Sequence, residues 1–233
     1  MHTPSGSVAV LLFSRSATAE ARHKPLSSRL ARAELVWQAL ERLTLAKSAA
    51  ADLPVFVSHK LPVQQTGTFG DQLQQAAQAV LELGYSSVLC IGNDCPSLRP
   101  ADLREAARLL EAGAIPVGID KRGGVYLTGF THQSLTDVQT LAALPWQTTS
   151  LAVALRHYLH QQGQTTVRLA ARYADWNARA DVRLSQATGQ RTWLRQLAEA
   201  FRPVRQRLSP GQPSVTSCRA VSPSGLRAPP TGN

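Results

Sequence analysis

Asn93 and Asp94 follow Gly92 and a short unbroken apolar run, residues 88–91. A run of that length and character suits a strand buried on both faces of a sheet. Gly92 ends the run and lets another group approach the backbone. The two polar residues then lie just past the carboxyl end of the strand, where open α/β sheets bind their ligands. Pro96 stiffens the exit, and Pro100 suits the first turn of the next helix, with Asp102 near that helix's positive end. One carboxylate, Asp94, is thus expected on a rigid strand end, where a metal ion or a phosphate would lie. A polar strand-to-helix turn accounts for Asn93 and Asp94 equally well on spacing alone.

Other residues of chemical interest are scattered. Residues 14–26 are polar and basic, with Arg15, Arg22 and Lys24 either available to an anion or simply solvated. Gly67 and Gly70 punctuate a loop at 60–70. Gly123 and Gly124 close a tight turn, 120–124, that also holds Asp120 and Arg122. Tyr126 and Trp146 either face a ligand or fill the core, the commoner fate of aromatics at strand ends. Asp175 and Asn177 read by themselves as a helix-capping turn ahead of Arg179. His157 and His160 read as a surface pair, and Cys95 has no visible base to make it a nucleophile.

The elements that must position these residues alternate. Strands are expected at 8–13, 53–57, 88–91, 115–119, 125–130 and 166–170. Helices are expected at 29–46, 71–83, 101–110, 134–141, 149–161 and 179–201, the last broken near Gly189. Residues 14–26 are expected to be a loop. Repeated strand–helix units imply an α/β fold with a mostly parallel, doubly wound sheet.

The chain has 233 residues, of which 43% are hydrophobic, enough for one domain with a sizeable core. We expect that domain to span residues 1–201. Residues 202–233 carry five arginines, no acid and six prolines, and are expected to be a disordered basic tail. The tail lacks aromatics on which bases would stack, so no specific nucleic-acid binding is expected. Of the net charge of +10, the tail accounts for half. No apolar segment has the length of a membrane span or the flanks of a signal peptide. Three cysteines without metal-ligand spacing point to free thiols and a cytoplasmic location.

Five segments, in order, resemble one family. Residues 91–98 (Ile-Gly-Asn-Asp-Cys-Pro-Ser-Leu) are similar to its G-[ST]-D-C-P-x-L. Residues 65–70 resemble Q-x-G-x-[LF]-G, and 123–129 resemble G-G-x-Y-L-x-G. Residues 144–148 resemble P-W-S-T, and 175–181 resemble D-x-D-T-P-E-D. The chain is thereby identified as a member of the bacterial domain of unknown function 2064 family, which includes glycosyltransferases associated with arsenosugar synthesis. The family is related to GT-A nucleotide-diphospho-sugar transferases. Three departures stand out: residues 14–26 lack the family's Gly and Lys-Thr-Arg run, Arg122 replaces the usual acid before Gly-Gly, and Asn177 stands where a second carboxylate is common.

The resemblance implies a GT-A-like fold and transfer of a glycosyl group from a nucleotide-activated sugar to an acceptor. It implies Mg²⁺ or Mn²⁺ held by Asp94, with Asp175 or Asn177 as the later ligand. Asp94 and Asp175 are then the catalytic pair. Arg15, Arg22, Lys24, Gly67, Gly70 and Asn93 would contact the nucleotide, and Arg122, Gly123, Gly124, Tyr126 and Trp146 the sugar or acceptor. Nucleotidyl transfer to a phosphorylated acceptor is the alternative chemistry, and a non-catalytic nucleotide-binding protein the alternative class. The absence of glycine from 14–26 favours sugar transfer.

Overall fold

The computed structural model describes residues 8–62 and 66–182. The expected helix from 179 extends past them, and the expected tail at 202–233 lies outside them. Six strands form one sheet: β1 (Val8–Leu12), β2 (Val55–Val57), β3 (Ser87–Ile91), β4 (Ala114–Ile119), β5 (Val125–Thr131) and β6 (Thr165–Arg168). Their spatial order is β2-β1-β3-β5-β4-β6. Five strands run parallel and β5 runs against them, antiparallel to both β3 and β4. The reason is the short turn at 120–124, which joins β4 to β5 as a hairpin, whereas parallel neighbours need a long crossover. The start of β5 therefore lies beside the carboxyl ends of β3 and β4, with Leu127 opposite Ile91. Every residue of β1 and β3 is buried, so both faces of the sheet are covered.

The flanking helices are α1 (Ala17–His23), α2 (Leu30–Ala50), α3 (Phe69–Leu81), α4 (Pro100–Glu111), α5 (Val138–Ala142) and α6 (Leu151–Gln161). Helix α1 corrects the expected loop at 14–26. The stretch has no apolar stripe, but Ser16 caps it by accepting from the Ala19 N–H, and Ala17, Ala19 and Ala21 favour helix. Ala21 packs into a satellite core with Leu26, Ala33, Trp37, Leu40 and Trp176. Tertiary packing thus decides what local pattern leaves open.

The loop after β3 is tied down from two sides. Lys47 of α2 is buried and its Nζ donates to the Pro96 carbonyl at 2.5 Å. Burial pushes the Lys47 ammonium down to about 8. From the other side, the Trp176 N–H donates to the Asp94 carbonyl at 2.8 Å.

Gly70, expected to approach a nucleotide, does something else. A Cβ there would lie 2.5 Å from both the Ala142 carbonyl oxygen and Trp146 Nε1. Its bare backbone lets α3 close onto α5 and seats Trp146. Gly67 serves the same helix: its φ of +89° forms the turn before the Thr68–Asp71 capping box. Gly70→Ala should destabilise the protein by about 1–3 kcal/mol through overpacking, outweighing the roughly 1 kcal/mol that alanine gains over glycine in a helix. A melting curve checks this; an unchanged or higher Tm would mean that the α3–α5 contact is not tight.

Candidate active site

A cavity of about 560 Å³ opens at the carboxyl edge of β1 and β3, beside the β4–β5 turn. That volume suits a small ligand. Its walls carry four carboxylates, Glu20, Asp94, Asp120 and Asp175, together with Arg15, His23, Lys24 and Arg122. Phe13, Phe69 and Trp146 line an apolar side, with ring centroids 5.1 Å apart for the first pair and 5.6 Å for the second. Trp146 Nε1 is used up by the Leu141 carbonyl at 2.9 Å, so its indole offers the cavity carbon surface alone.

Asp94 sits where its strand-end position predicts. Gly92 makes room for it: a Cβ at residue 92 would be 2.6 Å from Asp94 Oδ1. The other oxygen, Oδ2, accepts from Lys24 Nζ at 2.6 Å. Asn93 is buried and also lines the cavity.

Asp175 arrives from beyond β6. Its neighbour Trp176 is 2% exposed, anchored in the satellite core, and bonded through its N–H to the Asp94 carbonyl. This holds Asp175 beside Asp94. Asp175 Oδ1 is buried and has no hydrogen-bond partner among the described residues. Burial is the main cause that pushes the Asp175 carboxyl up to about 8, and the nearby charges of Asp94 and then Asp120 add to it. Lys24 and a hydrogen bond with Cys95 act in the opposite direction. Cys95 itself is buried, and burial pushes its thiol well up, so it offers no thiolate nucleophile.

Arg122 lines the cavity, yet its guanidinium bonds to the carbonyl of Asp175 at 2.9 Å and to Asp181 Oδ1 at 3.0 Å. It fastens the 175–181 segment to the β4–β5 hairpin. Asp181 also accepts from the N–H groups of Asn177 and Ala178, so the turn ahead of Arg179 is closed by Asp181, where the sequence pointed to Asp175 and Asn177. Asn177 is exposed at the cavity's edge. Asp120 supplies the acid that Arg122 displaces from the turn. Its Oδ1 accepts from the N–H groups of Arg122 and Gly124, both at 2.7 Å, while Oδ2 takes neither bond. A Cβ at residue 124 would be 2.9 Å from Oδ2, so Gly124 keeps that oxygen uncovered.

Several expected contacts fall elsewhere. Arg22 is exposed on α1, and neither it nor Gly67, Gly70 or Gly123 lines the cavity. Gly123, with φ of +95°, lets the turn meet α6: a Cβ would be 2.4 Å from the Thr149 carbonyl oxygen. Tyr126 is buried and lines the cavity with its body, while its hydroxyl donates to the Ala171 carbonyl at 2.9 Å. Sequence reasoning missed Glu20 and His23. The signal for Glu20 was the Ser16 cap, which starts a helix and points its first turn at the strand end.

Among the described residues no three His, Cys, Asp or Glu side chains form a metal-holding group. Two carboxylates are what Mg²⁺ needs when substrate phosphates and water complete its shell. The orphaned Asp175 oxygen beside Asp94 fits such a cation.

The raised carboxyl of Asp175 has a consequence for stability. The folded protein keeps a proton that the unfolded chain, near the ordinary value of 3.8, has released. Stability therefore falls as pH rises from about 4 to about 8 on account of this group. Asp175→Asn should match the wild type near pH 4, where both are uncharged. It should melt higher by at least about 3 °C near pH 8, the shift of roughly 1 kcal/mol in a domain of this size. Equal Tm values at both pH values would show that Asp175 is not held protonated.

Comparisons place the chain. The family model described as "Uncharacterized protein conserved in bacteria (DUF2064)" matches residues 18–148. No curated protein matches in sequence. Among solved structures, a "putative nucleotide-diphospho-sugar transferase" from Desulfovibrio desulfuricans G20 is similar at 16% identity with a TM-score of 0.66, covering 84% of this chain and 96% of that one. Weaker likenesses include CMP:2-keto-3-deoxy-manno-octonic acid synthetase complexed with CTP, at 12% identity, TM-score 0.42 and coverage of 78% and 98%. Another is glucosyl-3-phosphoglycerate synthase from Mycobacterium tuberculosis with Mn²⁺, UDP and glucosyl-3-phosphoglycerate, at 13% identity, TM-score 0.40 and coverage of 83% and 79%. The fold is the GT-A-like nucleotide-diphospho-sugar transferase fold, and the matched segment exceeds half of the chain: the protein belongs to the DUF2064 family.

Proposed function

We propose that this protein is a metal-dependent transferase that moves a glycosyl group from a nucleotide-activated sugar to a small-molecule acceptor. One observation carries the reading: a carboxylate oxygen of Asp175, buried and without a partner among the described residues, is held against Asp94 in a cavity that also contains cationic side chains. An unpaired buried carboxylate is expensive unless a proton or a cation completes it.

Asp94 and Asp175 would hold Mg²⁺ or Mn²⁺, with Asn177 within the same rim. When bound, the ion supplies Lewis acidity to a leaving diphosphate. Arg15 and Lys24 provide charge-assisted hydrogen bonds to phosphate oxygens, and His23 lines the same wall. Phe13, Phe69 and Trp146 offer apolar surface to a ring. Asp120 Oδ2 accepts a hydroxyl hydrogen bond from the sugar or acceptor, the task that Arg122 cannot perform because a guanidinium only donates. Arg122 instead positions the segment that carries Asp175. Among the described residues no helix is long and apolar enough to cross a membrane. A cytoplasmic location fits the free thiols of Cys90 and Cys95.

The test is a thermal-shift screen of nucleoside diphosphates and nucleotide sugars with and without Mn²⁺, followed by turnover of the binders. A fitting nucleotide sugar at about a hundred times its Kd should raise Tm by about 5–10 °C, in the presence of metal. Asp94→Asn should lose the metal-dependent part of that shift while keeping the fold. Consumption of a nucleoside triphosphate with release of pyrophosphate would replace sugar transfer by nucleotidyl transfer. A metal-dependent shift that survives in Asp94→Asn would remove Asp94 from the site.

A further inference from the structure

Lys24 stands in an unusual relation to Asp94. Its backbone is fixed at both groups: the N–H donates to the Glu20 carbonyl at 2.7 Å as the cap of α1, and the carbonyl accepts from Trp37 Nε1 at 3.1 Å. Its side chain is only partly buried, at 20% exposure, and its Nζ rests on Asp94 Oδ2. The ammonium therefore sits on one of the two carboxylates proposed to hold the metal. A long flexible side chain on a pinned backbone can change partners without moving the fold.

We infer that Lys24 is the resident cation of the site, exchanged for the metal when substrate binds. This rests on the metal-dependent reading above and adds an order to it. Divalent metal takes Asp94 and releases Lys24, and the released ammonium takes a phosphate oxygen of the diphosphate. Each ligand thereby removes an obstacle to the other: phosphate draws Lys24 off Asp94, and metal frees Lys24 for phosphate. Reciprocity requires the two effects to be equal in free energy. With neither ligand present, the Lys24 ammonium rests on Asp94 Oδ2 and supplies the positive charge beside the two acids.

Removing Lys24 must then act with opposite signs on the two ligands. Lys24→Met should tighten Mn²⁺ binding, measured alone by electron paramagnetic resonance, by at least about fivefold, the lower end of ordinary site coupling. The same variant should weaken metal-free binding of inorganic pyrophosphate, measured by calorimetry, by a similar factor. Arg22→Met is the control, because it removes one positive charge two residues away from an exposed position outside the cavity; it should change either affinity less than twofold. Lys24→Gln repeats the test should the methionine variant melt early.

Wild type that binds Mn²⁺ with the same Kd as Lys24→Met overturns the exchange and leaves the metal site standing. Equal effects of Lys24→Met and Arg22→Met reduce it to bulk charge and overturn it too, as does pyrophosphate binding that ignores Lys24. Absence of Mn²⁺ binding in wild type and in both Lys24 variants, with a nucleoside diphosphate present as well as without it, overturns the metal reading itself. Mn²⁺ binding by Lys24→Met where wild type shows none supports the exchange in its strongest form.

Discussion

The arrangement depends on one constraint: Asp175 is buried against another carboxylate with an oxygen that nothing among the described residues satisfies. Such a group cannot hold its place by its own interactions. Its neighbours impose the position. Trp176 is locked into the satellite core formed by α1 and α2, and its N–H grips the Asp94 carbonyl. Arg122 fastens the Asp175 carbonyl to the β4–β5 hairpin. Lys47 supports the Asp94 loop from below through Pro96. Several independent contacts hold the two acids together although burial keeps Asp175 protonated, and a cation bound there would take the place of that proton.

The antiparallel strand explains the rest of the cavity. Because β5 returns directly after β4, Asp120 and Gly124 stand at the same sheet edge as Asp94. Two backbone N–H groups hold one oxygen of Asp120, and the missing Cβ of Gly124 leaves the other uncovered. The aromatic side depends likewise on Gly70, whose bare backbone admits Trp146. Asp94 and Asp175, the open oxygen of Asp120 and an apolar wall thus face one space from three different parts of the chain.

Much of this was legible in the sequence, for definite reasons. Buried strands read as apolar runs, and Asp94 follows from its position after one. The order of elements predicts the mostly parallel sheet, and the short turn at 120–124 accounts for its one reversed strand. Asp175 needed the family resemblance, since its local signal was a capping turn, and the turn found there is closed by Asp181 instead. Gly67 and Gly70 illustrate a limit: a glycine that admits a ligand and a glycine that admits a helix look identical in sequence. Arg122 illustrates another, because its partners Asp175 and Asp181 lie more than fifty residues away. Helix α1 and its buried Glu20 were missed because their stability comes from packing on Trp37 and Trp176, which no local periodicity records.

Asp94 and Asp175 are proposed to form one cation site. The most direct measurement is anomalous diffraction from crystals of the full chain grown with Mn²⁺ and a nucleoside diphosphate. The expected result is a manganese peak coordinated by carboxylate oxygens of both residues. Manganese bound elsewhere, or density showing Asp94 and Asp175 without a shared ion at saturating metal, would contradict it.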